Sequence, residues 1–207
     1  MYRKTKIYRH LDRRINTIEK HFVRSFLRKN VVYLSERQMD LCRGYKVLCH
    51  AELEYYFEEI AKIIVDESLW RWQNEQIVTF PIIGLLGNFE KIETNDNVET
   101  KINQVAKDYL NKIVKKNHGI KEENLKRLYF NLGINISEFD ATWVAMLSSY
   151  GASRGMIAHT SVVAQNPVNI QEASAETKHI LEGIEAFEKE IEKQTKLNLY
   201  IAEKRIE

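Results

Sequence analysis

An all-α bundle is the fold class this sequence predicts, and three observations lead there. Only 2 prolines and 8 glycines punctuate 207 residues, too few breakers for many short strands joined by turns. Apolar residues recur at three- and four-residue spacings in most segments of the chain, the period of a helix with one buried face. The composition, 44% hydrophobic and 29% charged, is that of an ordinary globular protein, and the length suffices for a substantial core in one structural unit.

The first segment, about Tyr8 to Arg28, places Leu11, Ile15, Ile18, Phe22 and Phe26 on one helical face and basic residues on the other. Residues Met1 to Asn30 carry ten Lys and Arg against Asp12 and Glu19, a local charge of +8 in a chain whose formal net charge is +2. Residues 1–33 therefore read as a basic amphipathic helix packed on or next to a helical domain formed by 34–207. Its charged face is either the solvated side of a bundle helix or a surface for nucleic acid or another partner.

Ser35 followed by Gln38 is a capping box, and helical signals run from it to about Asp66. Cys42, Tyr45, Cys49, Leu53, Tyr56, Ile60 and Ile63 form the apolar stripe of that helix, with Phe57 and Ile64 beside it. Glu52 lies on the flank of the stripe, whereas Glu54 and Glu58 point further away. The two cysteines, two turns apart and separated by roughly 10 Å along one helix, are too distant for a disulfide. Met1 is followed by polar residues and no run of eighteen apolar residues occurs, so a reducing cytoplasm without membrane attachment is the expected location. Cys42, Cys49 and His50 have no matching Cys or His cluster elsewhere, and neither a metal site nor a cofactor site is expected.

A short helix is expected over Ser68 to Thr79, after which Pro81, Gly84, Gly87 and Asn88 break the pattern. The polar run Glu93 to Asn97 reads as a loop. Val98, Ile102, Val105, Tyr109 and Ile113 define the next helix, stopped at Gly119, and a short one over Glu122 to Asn131 ends at Gly133. After Pro167 a single last helix is expected from about Glu172 to Glu203.

The stretch between those last two elements is the most unusual. Ser137 and Asp140 announce a helix whose stripe is Phe139, Trp143, Met146, Leu147 and Tyr150, and which suits a buried central position. From Ala141 to Gln171 the only formal charge is Arg154, and it falls where the stripe predicts an apolar residue. An arginine there must be paired, solvated in a cleft or kept for chemistry, because an unpaired buried charge is very costly. Glu52 is a candidate carboxylate for the pairing. Five residues on stands His159, able to exchange a proton near neutrality. Positions five apart on a straight helix diverge by about 140°, so convergence needs a bend, which Gly155 offers, or the length of the arginine side chain.

The string RGMIAHTS resembles the Arg, four to six residues, His signature of the HEPN superfamily (higher eukaryotes and prokaryotes nucleotide-binding domains). LCHAELEYYFEEIA and LGINISEFDATW are similar to the corresponding segments of RiboL-PSP-type HEPN proteins, and the likeness spans Leu34 to Val163. The resemblance implies a bundle with a four-helix core plus additional helices, which forms a homodimer so that two motifs meet in a cleft. It also implies a metal-independent endoribonuclease of toxin–antitoxin, antiviral or RNA-processing systems, with a cognate antitoxin as a possible partner. Transferred to this chain, His159 would move a proton of the ribose 2′-hydroxyl or the leaving oxygen, and Arg154 would hold the scissile phosphate. Glu52, Gly155, Ser153 and Thr160 would be supporting positions. The chain departs from the pattern at Gly155, where many active members carry Asn or another polar residue, and at Ser161, where some toxin groups carry tyrosine. The other function class compatible with these residues is a non-catalytic module that binds RNA, a nucleotide or a protein.

Overall fold

The computed structural model describes residues 3–88, 97–159 and 167–206. All regular elements among these residues are helical: α1 (Lys6–Phe22), α2 (Glu36–Glu75), α3 (Phe80–Asn88), α4 (Val98–Tyr109), α5 (Glu122–Tyr129), α6 (Ala141–His159), α7 (Ile170–Thr195) and α8 (Leu199–Ile206), joined in places by single 3₁₀ or π turns. The expected polar loop at Glu93 to Asp96 lies outside the described residues.

The central element is α2, whose 40 residues would span about 60 Å and which touches most of the other helices. Ser35 Oγ accepts from the Gln38 amide, Gln38 reaches back to the Ser35 amide, and this capping box starts α2 as expected. Both sides of the expected stripe are buried, including Tyr45, Leu53, Tyr56, Phe57, Ile60 and Ile64. The helix does not stop near Asp66. Ser68 spends its hydroxyl on the Ile64 carbonyl inside the helix, 2.7 Å away, and α2 continues until Gln76 adopts a left-handed conformation with φ 57°.

Helix α1 stops earlier than expected, at Phe22, although Val23 and Phe26 remain buried in the following turns. Its Tyr8, Leu11, Ile15 and Ile18 belong to the same continuous core as α2 and α7. Two carboxylates tie its N-terminus down. Glu203 of α8 accepts from the Lys6 and Ile7 amides, and the fully buried Glu188 of α7 accepts from Thr5 Oγ1 at 2.7 Å and from Tyr56 Oη at 2.8 Å. Negative charge at free helix amides is electrostatically favourable, and the Glu188 bonds join α1, α2 and α7 through one buried group.

Pro81, Gly84 and Gly87 do not break the chain here; they lie inside α3. A Cβ on Gly84 would stand 2.6 Å from the Gly133 amide nitrogen and 2.9 Å from the Asn131 carbonyl oxygen. Glycine at 84 thus lets α3 approach the turn after α5, a tertiary use that local punctuation does not reveal. The expected single C-terminal helix is also divided, because Lys196 takes a left-handed φ of 59° and Asn198 accepts from the Ile201 amide to start α8.

Phe187 of α7 is the hub of an aromatic cluster, with Phe57 at 5.2 Å, Phe139 at 5.2 Å, Trp143 at 5.5 Å and Tyr129 at 5.6 Å between ring centroids. Trp143 also donates its indole N–H to the Ile180 carbonyl at 3.0 Å. This cluster clamps the first half of α6 between α2 and α7. Asp140 caps α6 by accepting from the Trp143 amide, while Ser137 belongs to the preceding 3₁₀ turn.

Candidate functional site

The apolar stripe of α6, Trp143, Leu147 and Tyr150, is buried as its spacing predicts. Its second half does not occupy the expected buried central position. Ala152 is exposed, Met156 is 65% exposed, and a Cβ on Gly155 would meet nothing within 4 Å. The lack of charge in this half comes from small residues, which face water at little cost. Helix α6 runs without a break through Gly155 to His159, so glycine there produces neither a helix end nor a left-handed residue.

Arg154 continues the inward stripe and is half-buried, and its Nε has no hydrogen-bond partner among the described residues. On α2, Lys46, His50, Glu54 and Glu58 follow one another at four-residue spacing, and His50 lines the same cavity as Arg154. Lys46 lies over the Tyr150 ring at 5.0 Å and pairs with Glu176 at 3.2 Å. His50, 2% exposed, sits against Gly151, one turn before Arg154. Glu58 accepts from Asn117 at 3.1 Å.

Electrostatics link these groups. Burial, then the charge of Arg154, pushes the His50 pKa down to about 4, so its imidazole is neutral at physiological pH. Burial and Glu58 raise the Glu54 carboxyl above its ordinary value, while Arg154, His118 and the Gly119 backbone amide act in the opposite direction. Glu54 Oε2 stands 3.5 Å from His50 Nδ1, without hydrogen-bond alignment, and that nitrogen is buried and unsatisfied. Beside this group opens a polar cavity of about 290 Å³ lined by His50, His118, Lys121, Asn124, Gly151, Arg154 and Gly155.

The expected Glu52 to Arg154 contact is absent, because Glu52 binds Arg14 of α1 instead, at 3.0 Å from both Nε and Nη2. The reason is angular. Two positions along a helix turn the side chain by about 200°, so Glu52 faces α1 while His50 and Glu54 face α6. Ser153 donates to the Tyr150 carbonyl at 2.8 Å within its own helix. Thr160 and the side chain of His159 lie outside the described residues. Sequence reasoning followed the apolar stripe of α2, set Glu54 and Glu58 aside as pointing away from it and weighed His50 only as a metal ligand; the four-residue spacing of Lys46, His50, Glu54 and Glu58 was the available signal.

The cysteines on the same helix play no part in this site. Both are fully buried, and burial raises Cys42 to about 11 and Cys49 to about 12, leaving unreactive thiols.

A family model described as RiboL-PSP-HEPN matches residues 6–193. The chain belongs to the RiboL-PSP-HEPN family. The family match extends beyond the Leu34 to Val163 likeness in both directions and takes in the basic helix α1 together with nearly all of α7. A HEPN domain is a helical bundle, in agreement with the architecture above. No match emerged among curated proteins or among solved structures. No helix among the described residues is long and apolar enough to cross a membrane.

Proposed function

We propose that this RiboL-PSP-HEPN chain is a metal-independent endoribonuclease that uses Arg154 and His159. The observation that carries the reading is Arg154 itself, a guanidinium on an apolar helix face with an unsatisfied Nε beside a polar cavity. Attack of a ribose 2′-oxygen forms the O2′–P bond, breaks the P–O5′ bond, and requires one proton to leave O2′ and another to reach O5′. Imidazole at His159 serves proton transfer, and the planar guanidinium of Arg154 offsets the charge that accumulates on the phosphoryl oxygens. The products are a 2′,3′-cyclic phosphate and a 5′-hydroxyl.

The active unit in this reading is a homodimer. Ala152 and Met156, two positions either side of Arg154, turn about 200° away from it on α6. That face is exposed and lined by small or flexible residues, which supports packing of a second copy against it and a cleft to which both copies contribute. A toxin or antiviral role, with a cognate antitoxin, belongs to the same proposal.

The test is cleavage of structured and single-stranded RNA in EDTA, with product ends read by mass spectrometry. The expected result is cyclic-phosphate product from the wild type and none from His159→Ala or Arg154→Ala variants that retain the wild-type helical spectrum. Equal turnover by the wild type and the double variant would overturn the reading. A binding module without catalysis is the second reading, favoured by the exposed basic residues Arg9, Arg13, Lys20 and Arg24 around α1 and by Gly155 after the arginine. It predicts RNA affinity that falls steeply with salt and no products.

A further inference from the structure

We propose that Arg9, Arg13 and Lys20 of α1 form a track for the sugar-phosphate backbone of RNA, a second contact surface apart from the Arg154 cavity. The inference rests on the ribonuclease reading for its kinetic consequence but not for binding itself. At about 100° per residue these three side chains point within about 40° of one another, and they span about 17 Å of the helix axis. None of the exposed residues of α1 is acidic or apolar. The two acids of the segment are turned away from water. Glu19 is buried, accepting from Ser174 at 2.8 Å and pairing with Lys178 of α7 at 3.4 Å, and Asp12 is half-buried.

Many surface lysines elsewhere are answered by an acid close by in the chain. Lys62 pairs with Glu59, Lys112 with Asp108, Lys126 with Glu122 and Lys193 with Glu190, all at three- or four-residue spacing. Among the described residues Arg9, Arg13 and Lys20 form no ion pair, and Arg9 and Arg13 stand one turn apart with like charge, which costs stability until an anion neutralises them. The chemistry of the partner follows from the rest of the helix. Tyr8, Leu11, Ile15 and Ile18 are buried in the core, so α1 has no apolar face left to insert into a lipid surface. The apolar centre on which a protein interface is built is missing as well. A straight row of solvated cations fits successive phosphates, which position a strand without reading its sequence. Arg14 of α1 pairs with Glu52 on one flank of α2, whereas the Arg154 cavity is lined by His50 and by α6, so the track holds RNA outside that cavity.

The experiment compares the full-length protein with a track variant, Arg9→Gln, Arg13→Gln and Lys20→Gln together, and with a control, Lys112→Gln, Lys126→Gln and Lys193→Gln together, that removes equal charge from paired lysines. All six positions are exposed, and the helical spectrum verifies that both variants fold. The ligand is a fluorescein-labelled 2′-O-methyl RNA, which lacks the attacking hydroxyl, and its anisotropy is read between 50 and 200 mM salt. Each lost phosphate contact lowers the salt slope by about 0.7, so the wild type and the control are expected to lose about 20-fold more affinity over this range than the track variant does. On cleavable RNA the defect of the track variant is expected in KM rather than kcat, because the track does not touch the reacting atoms. Parallel salt curves for the wild type and the track variant, or an equal loss of slope in the control, overturn the inference while leaving the ribonuclease reading intact. Track-dependent binding to vesicles of phosphatidylglycerol and phosphatidylcholine, with RNA affinity unmoved by the track variant, assigns the surface to a membrane and also overturns it. A wild type that binds RNA through the track and cleaves none overturns the ribonuclease reading alone.

Discussion

The imidazole of His50 offers the sharpest test of the electrostatics around Arg154. Its pKa is lowered from 6.5 to about 4 by burial and by Arg154, so between those values the unfolded chain binds a proton that the folded chain rejects. Stability contributed by a neutral His50 is therefore fully present above pH 6.5 and is lost as pH falls toward 4. At 1.36 kcal/mol per pH unit the difference amounts to about 3 kcal/mol, and the 2% exposure of the side chain leaves little room for solvent screening. His50→Gln removes this titration and keeps a polar side chain. Glu54, Glu58 and Asp66 act in the reverse sense: burial raises their carboxyls, so lowering the pH through their folded values relieves an unfavourable charge. Those three groups remain in both proteins and largely cancel in the comparison. Urea denaturation of the wild type and of His50→Gln at half-unit steps from pH 7 to pH 4 measures the difference directly. The wild type is expected to lose about 3 kcal/mol relative to the variant across this range. Parallel stability curves would refute the placement of a neutral, buried His50 beside Arg154.

Three further outcomes follow from the packing. Gly84→Ala places a Cβ 2.6 Å from the Gly133 backbone, which cannot swing aside as a side chain would, so thermal melting should show a loss of about 1–3 kcal/mol despite alanine's higher helix propensity. Gly183→Ala drives a methyl to 2.1 Å from Trp143 Nε1 and displaces the indole from its bond to Ile180; a lower melting temperature and a changed tryptophan emission are expected, also at about 1–3 kcal/mol. Arg14→Gln removes the partner of Glu52 in a pair whose arginine is 45% exposed, and chemical denaturation should register less than about 1 kcal/mol, with any RNA cleavage unaffected because Glu52 does not reach Arg154.

Much of this protein was readable in the order of its residues. The all-α class, the Ser35 capping box, the buried stripe of α2, the Gly133 stop and the Arg154 anomaly all depend on helical period and on capping groups within a few positions of one another. Such features are local, and the backbone supplies the geometry that turns spacing into a shared face. Element ends were less legible: α2 ran on past Asp66, α7 stopped at Lys196, and α3 formed across Pro81 and Gly84. For α2 a hydroxyl bond inside the helix decided the outcome and for α3 a partner from elsewhere in the chain, whereas α7 ended at a left-handed lysine that no spacing announced.

The surroundings of Arg154 were decided by tertiary structure alone. Glu52 and Glu54 are two positions apart and chemically identical, and from the sequence Glu52 lay nearer the apolar stripe. Which of them is carried to α1 and which toward α6 depends on how α2 is rotated between those helices, and that rotation is set by burying Tyr45, Leu53, Tyr56 and Phe57 together with the Phe187 cluster. Once those side chains are inside, Glu52 is carried to Arg14, and His50 is carried against Gly151 of α6, beside the cavity that Arg154 lines. Sequence determined that a charge would stand on the apolar face of α6; the packing of the core determined what faces it, because hydrophobic burial fixes a helix's rotation and the polar groups on its flanks must follow.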